Sequence, residues 1–196
     1  MTVTINGTGT IAGLSTGGLP DGSIDADSLA TGAVTSGKLA SGTGGKVVQV
    51  VHVQTGAFAS GTTVMPLDTS IPQITEGTEF MTLAVTPTHA SNILHIDVVS
   101  ESSSETANVM SINALFVGTT ASALAVAIGG IGAAANRPVP TTAFRHRMVA
   151  GVTTELTFRL RIGPSSSATM VFNGYAGGAR FGGTLASSIT ITEILA

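Results

Sequence analysis

The 196-residue chain has no cysteine, no tryptophan and one tyrosine, and only 10 % of its residues are charged. Without cysteine there are no disulfide staples, no thiolate nucleophile and no cysteine-ligated zinc. The same absence fits synthesis in a reducing cytosol. Aromatics make up 4 %, so a core has to be built from Val, Ile, Leu, Met and Ala. A net charge of −3 does not fit a polyanion-binding protein, and 43 % hydrophobic residues do not fit a disordered one. The opening MTVTINGTGT has neither a basic nor a long apolar region, so no secretory signal peptide is expected there. The most apolar stretch, Ala121 to Ala135, is shorter than the roughly 20 residues of a spanning helix and is interrupted by glycine, so no membrane insertion is expected.

What the chain does have is 25 glycines with abundant Thr, Ser and Val, the composition of an all-β protein with many tight turns. Val3 and Ile5 alternate with threonine before an Asn6-Gly7 turn signal. Gly7, Gly9 and Gly13 do not make a dinucleotide fingerprint, because the third glycine is one residue late and no helix follows. Ser41 to Gly45 is a hinge by composition. From Lys46 onward, KVVQVVHVQT, FMTLAVT (from Phe80), NILHIDVVS (from Asn92) and NVMSINALFV (from Asn108) read as strands. TTAFRHRMVA (from Thr141), ELTFRLRIG (from Glu155), ATMVF (from Ala168) and SSITITEI (from Ser187) complete the set. Turn-rich breaks, SESSSE and GPSSS among them, separate the strands. Ala121 to Ile128 has helical propensity, but its β context predicts a buried strand. The expected architecture is an N-terminal arm, residues 1–45, followed by a jelly-roll-like antiparallel β-sandwich head, residues 46–196.

The arm carries an internal repeat of ten residues. Leu14, Ile24 and Val34 recur at that spacing, as do Leu19, Leu29 and Leu39. Two aliphatics per unit, worth about 1.5–3 kcal/mol each when buried, do not offset a backbone ordering cost of about 1–2 kcal/mol per residue. A single copy therefore cannot order itself; three copies wrapped about one axis complete each aliphatic layer. The six aliphatics are accordingly candidate trimer contacts in an extended, intertwined β arm or stalk. The alternative is a flexible Gly/Ser linker, which has no need of periodic aliphatics.

Two segments together resemble bacteriophage tail fibres and related virion proteins. The units GSIDADSLATGAVTSGKLAS are similar to short repeats preceding the heads of such fibres. The run NGYAGGARFGGTLASSITITEI, Asn173 to Ile194, is similar to their closing hairpin. The resemblance covers about a quarter of the chain. It implies a homotrimer on the virion surface with a β-sandwich head, and it transfers no catalytic residue. Such fibres bring a dedicated anchoring domain, for which the 45 residues before the head leave little room.

Residues with chemical potential are few. His52, His89, His95 and His146 show no close metal-ligand spacing, and packed or edge-exposed histidine is the expected role of each. No Gly-x-Ser-x-Gly elbow occurs. The carboxylates lie mostly in turns, and nothing in their placement favours a glycosidase pair. No catalytic residue, metal or cofactor is expected. All six arginines lie between Arg137 and Arg180, giving residues 137–196 a net +4 (six Arg against two Glu) and residues 1–136 a net −7 (two Lys against nine acids). Arg145 and Arg147 share one strand face, and Arg159 and Arg161 share one face of the next, as in a half-buried antiparallel pair. They are candidates for an anionic ligand or, more simply, for cross-strand pairing with Asp97, Glu101 or Glu155. Tyr175, Arg180 and Phe181 sit in a glycine-rich loop suited to sugar or protein contact; capping the sandwich is the simpler role. Basic residues without interleaved aromatics argue against nucleic acid. The expectation is a non-enzymatic homotrimeric virion protein, either tail-fibre-like and binding host surface polysaccharide, or a capsid decoration (cement) or head-fibre protein held to other virion proteins by its arm.

Overall fold

The second half of the head folds back along the first. Its centre is the turn between β7 (Met110–Val117) and β8 (Ala125–Ile131), which pair antiparallel. Moving outward, β6 (Ile93–Ser104) pairs with β9 (Thr141–Val149), β5 (Thr78–Val85) with β10 (Leu156–Pro164), and β3 (Val47–Thr55) with β14 (Ser187–Ile194). This long hairpin, rolled up, gives two antiparallel sheets. One has the order β3-β14-β6, with β9 on the far side of β6; the other has the order β5-β10-β7-β8. That is a jelly-roll β-sandwich. Short strands β4 (Ala59–Gly61) and β11 (Met170–Phe172) extend the first sheet.

The computed structural model describes residues 46–131 and 139–196 and, before them, Thr4–Ile5, Ile11–Ala12, Leu29, Thr31, Ala33, Val34 and Lys38. The chain divides into two compact units, Met1–Gly45 and Lys46–Ala196. In the first, β1 (Thr4–Ile5) and β2 (Ile11–Ala12) pair antiparallel, with Ile5 opposite Ile11. Leu29 and Val34 are 44 % and 48 % exposed; Leu14, Leu19, Ile24 and Leu39 lie outside the described residues.

Period-two alternation builds the head core. Leu94, Ile96 and Val98 of β6, Ile189 and Ile191 of β14, and Phe158, Leu160 and Ile162 of β10 all point between the sheets and are buried. Phe80 stacks on Phe172 at 5.0 Å between centroids. A second, smaller cluster lies on the outer side of the four-stranded sheet, where Met65 covers Ile112, Ala114 and Phe116. This cover buries both faces of β7, which is why its sequence does not alternate.

Three expectations need correction. SESSSE is not a break: Ser100–Ser104 belongs to β6 and is buried. Two of its hydroxyls find partners across the sandwich, Ser100 Oγ donating to Asn113 Oδ1 at 2.8 Å and Ser102 Oγ meeting Ser111 Oγ at 2.8 Å, so polarity there marks a hydrogen-bonded seam in the core rather than a turn. The apolar segment around Ala121 becomes the sheet-edge strand β8, with Val126 and Ile128 42 % and 54 % exposed; it is not buried. Finally, β9 and β10 are not a pair: they belong to opposite sheets. Among the described residues no helix is long and apolar enough to cross a membrane.

Candidate functional site in the Asn173–Leu185 excursion

β11 and β14 lie end to end against β6, with Phe172 opposite Ser102 and Ser188 opposite Val99. Between them the chain leaves the sheet. Asn173, fully buried at φ +53°, is the pivot. Its Nδ2 donates to Thr55 O at 2.7 Å and Ala57 O at 3.2 Å, its Oδ1 accepts from Ser187 Oγ at 2.7 Å, and its N–H donates to Glu101 O at 2.9 Å. The Asn-Gly pair is thus a junction. The hairpin turn itself is Ala176-Gly177, at φ +48° and +68°, joining β12 (Gly174–Tyr175) to β13 (Gly178–Ala179). Positive φ at both central residues matches the two-residue turn that suits strand twist. Gly177 N–H donates to Glu105 Oε1 at 3.2 Å, tying the tip to the turn after β6.

The excursion then delivers Arg180 and Phe181. The Arg180 guanidinium lies 5.5 Å from the Tyr175 ring centroid, and its Nη1 donates to Ala179 O at 3.0 Å. Phe181 is 79 % exposed and sits at φ +51°. A left-handed backbone costs a non-glycine residue about 1–2 kcal/mol, and an exposed phenyl ring forfeits about 1.5–3 kcal/mol of burial. The turn is held by Thr184, whose Oγ1 donates to Phe181 O at 2.7 Å and whose N–H donates to it at 3.2 Å, while the phenyl ring stays exposed. Tyr175, Arg180 and Phe181, with Val139 and Leu185, line an open groove of about 350 Å³. The three loop residues singled out in the sequence are therefore brought together, and Phe181 does not cap the sandwich.

The other arginines are not brought together. Arg145 and Arg147 lie on the outer face of the six-stranded sheet, Arg159 and Arg161 on that of the four-stranded one. Arg145 Nε lies 3.2 Å from Asp97 Oδ1, directly across from it on β6. Arg159 Nη1 lies 3.0 Å and Arg161 Nη1 3.8 Å from Glu79 Oε2. Arg159 Nε also donates to Gly118 O, and Arg161 donates through Nε to Glu76 O and through Nη2 to Gly77 O. These two side chains hold loops in place. Asp97 was foreseeable from the sequence; Glu79 was not, because β5 and β10 are far apart in it. Glu101 instead accepts from Thr141 Oγ1 at 2.7 Å.

His52 shares a hydrogen bond with Thr190 Oγ1 at 2.8 Å, and His89 one with Ser91 Oγ at 2.9 Å. His146 faces inward and burial lowers its pKa. Among the described residues, no group of three or more His, Asp or Glu is placed to hold a metal ion.

The most perturbed carboxylate is one that sequence reasoning passed over. Glu193, in β14, has no exposed surface. Burial alone would raise its pKa, but donors from Asn92, Gln49 and Thr88 outweigh it and bring the value from 4.5 down to about 2. Asn92 Nδ2 and the Thr88 N–H and Oγ1 all converge on Oε1, at 2.6, 2.8 and 2.8 Å, while Gln49 Nε2 reaches Oε2. An anion so fully occupied by donors is a latch between β14, β3 and the loop before β6. It presents no exposed surface to a substrate.

No family model matches the chain, and no curated protein does. Among solved structures the chain is similar to the VP2 subviral particle of infectious bursal disease virus, with TM-score 0.37 and 9 % identity over 76 % of this chain and 38 % of that one. The matched part spans well under half of that protein's length.

Proposed function

We propose that the chain is a non-enzymatic structural protein of a bacteriophage virion, a homotrimeric short fibre whose head contacts host-surface polysaccharide through Tyr175, Arg180 and Phe181. The single observation that carries the contact is Phe181, exposed and at positive φ next to a guanidinium 5.5 Å from a tyrosine ring centroid. The groove has the chemistry of a saccharide site: aromatic faces for sugar C–H surfaces, and an arginine with free donors for hydroxyl or carboxylate oxygens. The trimer is supported by the ten-residue repeat, and the phage setting by the resemblance of the repeat and the closing run. The protein needs no metal or cofactor for this role and works at the virion surface after synthesis in the host cytoplasm.

The test is binding of the labelled full chain to immobilised lipopolysaccharide and capsular polysaccharide from a panel of bacteria. Wild type should bind at least one preparation, and Phe181→Ala and Arg180→Ala should each reduce that binding tenfold or more. Undiminished binding by both variants would remove the groove from the account.

A capsid-decoration role is the second reading. It is favoured by the exposed aliphatics on the outer faces of both sheets, Val50 and Ile128 among them, which suit close packing with neighbours. Counting copies per particle separates the two: a handful places the protein on the tail, hundreds place it on the capsid.

A further inference from the structure

Two exposed aliphatic surfaces lie on opposite sheets of the head. On the six-stranded sheet, the register sets Val47 opposite Ile194, Ile194 opposite Ile93 and Ile93 opposite Val149. Val47, Val50 and Val149 are 55 %, 56 % and 53 % exposed. On the four-stranded sheet, Val126 and Ile128 of the edge strand β8 face Leu67 and Ile71 of the loop between β4 and β5 across a groove of about 300 Å³ floored by Ile112. Leu67, Ile71 and Ile128 are each more than half exposed. Single exposed aliphatics need no explanation, but two clusters on a chain this poor in charge do.

Their charges differ in sign. Among the described residues, Asp68 is the one charged residue lining the groove. Its Oδ1 accepts from Ser70 N–H at 2.7 Å and Ser70 Oγ at 2.6 Å, and these bonds lower its pKa, so it stays ionised. The valine surface is bordered by the exposed cations Lys46 and Arg147, while Arg145 is already engaged by Asp97. Two valine surfaces face to face would oppose cations, and two grooves would oppose carboxylates. Only unlike surfaces place unlike charges together, and like-charge juxtaposition is what excludes wrong pairings at interfaces.

We propose that the head docks a second copy of this chain head to tail, the valine end of one six-stranded sheet seating on the β8 groove of the next copy. Such a heterologous contact closes into a ring when its rotation permits, and three copies complete the ring of the homotrimer proposed above, on which this inference rests. The contact lies in the head, so it is separable from any pairing between arms.

The absence of cysteine makes the test direct. Full-length Val50→Cys and Ile128→Cys chains, carrying different tags, are co-expressed and treated with a flexible bismaleimide. The expected product is a cross-linked pair of unlike chains, with little product from either variant expressed alone. Equal cross-linking within a single variant would mean like surfaces meet and would overturn the proposal. Absence of cross-linking from a protein that still sediments as an oligomer would overturn it too, while leaving the homotrimer standing. A wild-type chain that sediments as a monomer would overturn both.

Discussion

Asn92 Nδ2 donates to Glu193 Oε1 across 2.6 Å, joining the loop before β6 to the last strand of the head. The carboxylate takes its donors from neutral groups, and these bonds are stronger while Glu193 is ionised. Its folded pKa is about 2 against an ordinary 4.5. A depressed folded pKa gives stability that is fully present above pH 4.5 and is lost as pH falls towards 2. A shift of this size is worth at most about 3 kcal/mol, an upper figure because the group lies just beneath the surface. Thermal melts from pH 7 to pH 2 should show wild type more stable than Glu193→Gln at neutral pH, with the two curves converging near pH 2. Parallel curves would show that the charge is not what the donors hold.

Asn173 carries a second structural prediction. Its side chain serves two carbonyls and one hydroxyl in a fully buried position. Removing it leaves these groups unpaired, at about 1–3 kcal/mol for each buried group. Asn173→Ala should therefore lose about 3 kcal/mol or more in urea unfolding. Asn173→Gly loses the same bonds but relieves the positive φ, and should be about 1 kcal/mol more stable than the alanine variant. An alanine variant as stable as wild type would mean the excursion is anchored elsewhere.

How much of this was legible in the sequence depended on the range of the interaction. The alternation in NILHIDVVS, ELTFRLRIG and SSITITEI revealed the strands and their buried faces, because period two is a local property. Partnership was not local. Arg145 and Arg147 look like neighbours of Arg159 and Arg161, yet the roll of the hairpin sends β9 and β10 to different sheets. The serines of β6 looked like a turn because their partners Ser111 and Asn113 are on the opposite sheet. Glu193 gave no local signal because its donors come from residues 49, 88 and 92. Tyr175, Arg180 and Phe181 were legible as candidates because a glycine-rich frame around rare aromatics is visible in any ten-residue window. The strain at Phe181 was not.

That strain separates function from stability. Phe181 is at φ +51°, and glycine accepts this backbone without penalty. Phe181→Gly should melt at the same temperature as wild type or slightly higher, by up to about 1 kcal/mol, while losing most polysaccharide binding. Calorimetry and the binding panel read the two effects independently. A clear loss of stability would mean that the ring packs within the assembly and is not held out for a ligand.

Association through the arm is testable in the same way. Leu29 is 44 % exposed in the single chain. Each repeat gains about 1.5–3 kcal/mol per aliphatic that a neighbour covers, against about 1–2 kcal/mol to order each backbone residue. Introducing charge at two layers removes part of that gain and sets like charges against one another about the axis. Leu29→Asp combined with Leu39→Asp should shift the sedimenting species towards the monomer at micromolar concentration and leave the melting temperature of the head unchanged. Trimers of unchanged stability would show that the repeat is only a tether, and that association resides in the head surfaces around Val50 and Ile128 alone.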